Sequence, residues 1–131
     1  MNLGIGTTAP GNILTIQQNS ATDPIADGWT VYSSRRWKTN IKPIEGAVDK
    51  AKKLRGVYFD WKANGKHDIG MIAEEVGEVI PEVVVYEDNV KDEKSLDYAR
   101  LVSVLVEAIK EQQKQIEELK LRITKLEVKG K

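Results

Sequence analysis

The sequence predicts an α+β chain with a short N-terminal β segment, a small mixed α/β body and a long C-terminal helix. Three observations carry this. Before residue 32, β-branched residues are punctuated by glycine. Between Pro43 and Tyr86, helical and alternating apolar periods succeed one another. From Val102 onward a single heptad pattern persists to Leu126.

The N-terminal segment reads as two short strands, one at Leu3 and Ile5, which alternate with glycines, and one at Ile13-Leu14-Thr15-Ile16. A Pro10-Gly11 turn joins them. The segment has too few large side chains to fold alone and must lie on something, including copies of itself. Trp29-Thr30-Val31-Tyr32 fits a third strand running into Ser33.

From Pro43 the period becomes helical. Ile44, Val48, Ala51 and Leu54 share a face, Pro43 suits the first turn and Gly56 the stop. Lys50, Lys52, Lys53 and Arg55 gather at the C-terminal end, where cations complement the helix dipole; they read as a solvated basic face. Val57-Tyr58-Phe59-Asp60-Trp61 alternates as a strand, Asn64-Gly65 is a tight-turn signal, and His67-Asp68-Ile69-Gly70 starts the return. Met71, Ile72, Val76, Val79 and Ile80 predict a short helix stopped by Pro81. Val83-Val84-Val85-Tyr86 is a buried-type strand, and Glu87 to Lys94 a charged loop.

Val102, Ile109, Ile116 and Ile123 fall at one heptad position, and Leu105, Gln112, Leu119 and Leu126 three residues after each. This is a coiled-coil seam over residues 98–128 that requires partner helices. Ile followed by Leu along a seam leans toward a dimer, and the polar Gln112 weakens that rule.

Composition narrows the chemistry. Of 131 residues, 40% are hydrophobic and 6% aromatic, which allows a modest core in one domain, or in one small domain plus an appendage. Lys+Arg (20) balance Asp+Glu (20), so no net field favours nucleic acid, despite Arg35-Arg36-Trp37-Lys38. No run approaches a membrane span. Met1-Asn2-Leu3 does not begin a signal peptide, and the chain reads as a fragment of a longer protein. With no cysteine and one histidine, no metal site or cofactor is expected. A Ser-His-Asp triad could draw only on His67 beside Asp68, and adjacent strand residues face opposite ways.

A Ser-Lys pair is the better nucleophilic arrangement. Ser33 and Lys38 lie five residues apart with Arg35 and Arg36 between them. A lysine acts as general base only when neutral; neighbouring cations and apolar cover such as Trp37 favour that form. Spacing alone equally describes a basic surface turn.

Three segments together resemble a known family. Ser33-Ser34-Arg35-Arg36-Trp37-Lys38-Thr39-Asn40-Ile41 resembles its Ser-Asp-x-Arg-x-Lys-x-Asn-Ile signature. Gly70-Met71-Ile72-Ala73-Glu74-Glu75-Val76 with Ile80-Pro81-Glu82-Val83-Val84 looks like its second motif, and Leu96-Asp97-Tyr98-Ala99-Arg100-Leu101-Val102 like its third. The family is the self-cleaving C-terminal intramolecular chaperone, of endosialidase type, found in phage tail spikes, tail fibres and neck appendages. Gly4-Ile5-Gly6-Thr7-Thr8-Ala9-Pro10 resembles, more weakly, the fibre tip that precedes it.

The resemblance implies a division into residues 1–32, the end of a β-rich fibre or spike, and 33–131, the chaperone. It implies a homotrimer with a parallel three-helix coiled coil that folds the upstream β-rich part of the same chain. The domain then cuts itself off between Tyr32 and Ser33, with Ser33 as nucleophile and Lys38 as base. Arg36 and Asn40 are candidates to support the dyad or the oxyanion. Synthesis in the host cytoplasm, a virion tail destination for the upstream part and a released chaperone fragment of 99 residues (131 − 32) follow from the same resemblance. No membrane or nucleic-acid partner is implied. The family has aspartate where this chain has Ser34; if that carboxylate orients the dyad, cleavage here is slow. Ser34 also offers a second serine, though the five-residue spacing to Lys38 favours Ser33. The alternative function is a trimerisation and folding module that does not cut.

Overall fold

The computed structural model describes residues 1–18, 20, 22–86 and 94–131. In order these hold β1 (Leu3–Ile5), β2 (Leu14–Ile16), a 3-10 turn (Arg35–Trp37), α1 (Ala47–Lys53), β3 (Val57–Asp60), β4 (His67–Gly70) and α2 (Ala73–Val79). A second 3-10 turn (Pro81–Val83), β5 (Val84–Tyr86), β6 (Lys94–Leu96) and α3 (Tyr98–Lys129) complete the chain. The strands pair as β1-β2, β3-β4 and β5-β6. The architecture is α+β, as the sequence predicts.

The core is small and lies where α1, α2 and the second 3-10 turn meet the first third of α3. Ala47, Val48, Val76, Ile80, Val83, Leu101, Val104 and Ala108 form it, with Ile44, Ala51, Leu54, Met71, Val79 and Leu96 packed around. The apolar face expected at Ile44, Val48, Ala51 and Leu54 therefore faces the core. The helix on it starts later than Pro43, because Gly46 (φ 62°) occupies the left-handed region just before Ala47. That conformation costs glycine little and breaks any helix entering from Pro43. Gly46 offers no capping side chain. Glu111 of α3 supplies the cap instead, its Oε2 accepting from the Val48 N–H at 3.2 Å.

The β3-β4 hairpin is antiparallel, with Val57 opposite Gly70 and Asp60 opposite His67. Gly65 (φ 68°) provides the left-handed residue that the Asn64-Gly65 turn requires. Val83 is buried but belongs to the 3-10 turn, not to the strand after it, because Pro81 cannot continue α2 and tightens the chain. β6 was not expected; of the loop expected from Glu87 to Lys94, residues 87–93 lie outside the described residues, and Lys94 opens the strand.

Two further expectations differ. β1 and β2 exist but run parallel, with Leu3 opposite Leu14 and Ile5 opposite Ile16. Pro10-Gly11 therefore lies in a crossover rather than a hairpin turn. Residues 29–32 form no strand. Trp29, Val31 and Tyr32 are 73%, 79% and 91% exposed, so their alternation finds no sheet edge to join.

α3 is one continuous helix of 32 residues, about 48 Å at 1.5 Å per residue. Asp97 caps it, its side chain accepting from the Arg100 N–H at 3.3 Å. Leu101, Val104 and Ala108 face the core. The expected seam residues Val102, Leu105, Ile109, Ile116, Leu119, Ile123 and Leu126 are all exposed in the single chain. No helix among the described residues is long and apolar enough to cross a membrane.

Candidate Ser-Lys site

Ser33 and Lys38 meet because the chain between them makes one 3-10 turn. Extended, five residues would span about 16 Å. Instead the Trp37 N–H donates to the Ser34 carbonyl and the Lys38 N–H to the Arg35 carbonyl, each at 3.1 Å. The chain then leaves Lys38 in an extended conformation (φ −123°, ψ 141°). The result is a hydrogen bond from Lys38 Nζ to Ser33 Oγ at 2.9 Å.

The two serines are occupied differently. Ser34 is the N-cap of the turn, and its Oγ accepts from the Arg36 N–H at 3.4 Å. That accounts for a short polar residue there: aspartate, asparagine and serine all cap. Ser33 alone contacts the lysine. Sequence reasoning treated Ser34 as a rival nucleophile and missed its cap, although a serine two residues before an orphan N–H is the ordinary signal.

Arg36 and Asn40 are not drawn into the pair. Among the described residues neither side chain makes a hydrogen bond or an ion pair. Asn40 takes φ 52°, a left-handed conformation asparagine tolerates, and so bends the chain away after the turn. Residues 22–43 are all exposed, including Tyr32, Ser33 and Lys38.

The other sequence candidates are used elsewhere. His67 does not pair with Asp68. Its Nδ1 lies 2.7 Å from Asp60 Oδ1 across the hairpin, and its ring stacks on Tyr58 at 5.6 Å. Asp68 Oδ2 accepts from Trp61 Nε1–H at 2.9 Å. That bond, with one from the Ile69 N–H, holds the Asp68 carboxyl below the usual aspartate range. On the basic face, Arg55 grips Glu75 through Nε and Nη2 at 2.8 and 2.6 Å, which pushes Glu75 down and Arg55 up.

The second and third motifs meet in space. The Tyr98 hydroxyl accepts from the Met71 N–H at 2.9 Å, and its ring covers Gly70. Arg100 reaches the Glu82 carbonyl at 3.2 Å while its Nε pairs with Asp97 at 2.9 Å. These contacts fix α3 to the segments on both sides of α2.

Sequence comparison finds relatives over much of the chain. Residues 33–85 match the family described as chaperone of endosialidase, whose name also carries the word peptidase. The long tail fiber proteins Gp37 of Enterobacteria phages K3 and T2 are each 34% identical over 101 residues. Those matches span 71% of this chain and 8% of the fibre proteins. Gp37 of Salmonella phage S16 is 32% identical over 105 residues, 73% of this chain and 14% of its own length. The matched family segment begins at the serine that holds Lys38 and runs through both helices of the body into β5. Residues 33–85 are thus the part of the chain that is similar to the chaperone-of-endosialidase family.

Proposed function

We propose that this chain is the intramolecular chaperone of a phage tail fibre. It trimerises through α3, guides folding of the β-rich part ahead of it, and then releases itself by cutting between Tyr32 and Ser33. The observation that carries the cut is the 2.9 Å contact between Lys38 Nζ and Ser33 Oγ, made while Ser34 is engaged as a cap.

Ser33 is adjacent to the bond it attacks, so no substrate pocket is needed; folding supplies the proximity. Neutral Lys38 takes the Ser33 hydroxyl proton, and Oγ adds to the Tyr32 carbonyl carbon. The C–N bond between Tyr32 and Ser33 breaks, and the proton passes from Lys38 to the departing nitrogen. This leaves an ester from Tyr32 to Ser33 Oγ and a free amino group on Ser33. Water hydrolyses the ester, giving the Tyr32 carboxylate and restoring the serine hydroxyl. A lysine serves as base only when neutral, and covering it with apolar surface favours that form. The pair is exposed in the single chain beside exposed Tyr32 and Trp37, so that cover falls to the assembled trimer or to the folded fibre.

Intact mass tests the proposal. The wild-type protein should yield two species, 1–32 and 33–131. Ser33→Ala and Lys38→Ala should each leave one uncut species of unchanged oligomeric mass. Cutting at the same bond in either variant would remove that residue from the mechanism. A single uncut mass for the wild type would leave a folding module that does not cleave.

A further inference from the structure

The open side of α3 carries more than the seam. With Val102 at position a of the heptad and Leu105 at d, Leu101 and Ala108 take g positions and are buried in the body's core. Val106 takes an e position on the other flank of the seam and is 48% exposed. Together with Val102 it lines a groove of about 410 Å³, which Lys42, Pro43 and Ile44 also line. Those three residues end the strap that leads from the dyad to α1. Residues 39–43 are exposed and, among the described residues, make no hydrogen bond or ion pair. Ile44 is the first residue after the dyad that packs on the core.

The heptad says what meets this groove. In a parallel seam the e flank of one helix lies beside the g flank of the next. Further along α3, Arg122 at g and Glu127 at e carry opposite charges, which suits parallel, in-register pairing. The same pairing sets Val106 of one copy beside Leu101 of the next. Leu101 is covered by its own body, and three residues before it Tyr98, at d, is tied to Met71 at 2.9 Å. The surface offered to the groove is therefore the corner of Tyr98, Met71 and Ile72, with Tyr98 half-exposed. Charge agrees with shape. Lys42 lines the groove and Glu74 follows Met71 by three residues; both are exposed, and neither side chain is paired among the described residues.

We propose that the groove between the strap and α3 is a docking site for a second copy of this chain, entered by its Tyr98–Met71 corner, with Lys42 facing that copy's Glu74. This rests on the parallel assembly through α3 proposed above and adds a contact on its flank. The two surfaces differ, so the contact repeats head to tail around a closed ring, as in a three-helix seam. Each copy thereby holds its neighbour's strap four residues past Lys38.

The chain has no cysteine, so introduced cysteines are read without background. Lys42→Cys and Glu74→Cys, together in a Ser33→Ala chain to keep the junction whole, are treated with a short bismaleimide. Links between copies, up to a covalent three-chain species and with a yield unchanged on dilution, are the expected result. Links within one chain, or none, would overturn the docking. Ile116→Cys in the same background reports the seam by itself. A seam that links while the Lys42–Glu74 pair does not would overturn the docking and leave the assembly standing; no link at either place would overturn both. In a dilution series followed by light scattering, Lys42→Glu should raise the concentration of half-dissociation by about threefold or more, and adding Glu74→Lys should restore it. A double variant as weak as Lys42→Glu alone would overturn the pairing of these two side chains.

Discussion

Gly70→Ala tests how the second and third motifs are joined. A Cβ on Gly70 would sit 2.7 Å from the Tyr98 hydroxyl and 3.3 Å from Phe59 Cε1. One of them must move. Tyr98 is 50% exposed, so its ring swings out more readily than the strand shifts. The cost is then the Met71 N–H to Tyr98 hydrogen bond, about 1 kcal/mol, plus overpacking at the low end of about 1–3 kcal/mol. Alanine also stiffens the unfolded chain and returns about 0.4–1 kcal/mol. The net expectation is a loss of about 1 kcal/mol. With a urea slope of about 1–3 kcal/mol/M, the midpoint falls by about 0.5 M at fixed chain concentration. Tyr98→Phe supplies the decisive background, because it removes the atom that clashes. There, Gly70→Ala should be neutral or slightly stabilising. An equal loss in both backgrounds would refute a steric origin in Tyr98 and leave the motif glycine without this explanation.

Three other outcomes follow from the same geometry. Glu111→Ala removes the cap on Val48 and should cost about 1 kcal/mol in a urea melt, whereas Glu111→Gln, which keeps an acceptor, should cost clearly less. Asp68 is held below the usual aspartate range by Trp61, so its contribution is present above the unfolded-state value and is lost as pH falls through the lower folded value. Fluorescence of Trp61 as sole tryptophan should therefore titrate below the ordinary aspartate range, and Asp68→Asn should erase the step. Ile116→Asp places a charge on a seam position 45% exposed in the single chain. Light scattering should show the assembly reduced to monomer, while the hairpin's Trp61 signal stays native; an unchanged oligomer would rule out the seam as the interface.

What could be read from the sequence was what depends on neighbours in sequence. The long helix α3 and the Asn64-Gly65 hairpin rest on local patterns, and both stand in the structure. Trp29-Thr30-Val31-Tyr32 has the alternation of a strand, but alternation reports side-chain patterning and a strand also needs an edge to pair with. Pro10-Gly11 signalled a change of direction without fixing whether the strands on either side run parallel. The Ser33-Lys38 spacing gives contact in neither a strand nor an α-helix; it needed the 3-10 turn that Ser34 caps. Contacts between residues 43 and 63 apart, Asp23 with Lys66 and Glu111 with Val48, left no local trace at all.

The two apolar stripes of α3 keep the packing of the body apart from the face proposed for assembly. Leu101, Val104 and Ala108 pack on the body, and Glu111 ends that row with its bond to α1. Val102, Leu105 and Ile109 start the seam one residue later, about 100° around the helix. One face is therefore satisfied within the chain while the other stays open. Beyond Glu111 the first stripe stops and only the seam continues; residues 112–129 are exposed throughout. An isolated helix with such a stripe is marginal in water. In the proposed assembly its apolar side chains gain cover from other helices, and that burial orders the C-terminal half. The N-terminal half, already ordered by α1 and α2, carries Tyr98 and Arg100, which fix the body to the helix. In the proposed assembly, the seam is therefore joined to the hairpin by one continuous helix through the Tyr98 contact with Met71.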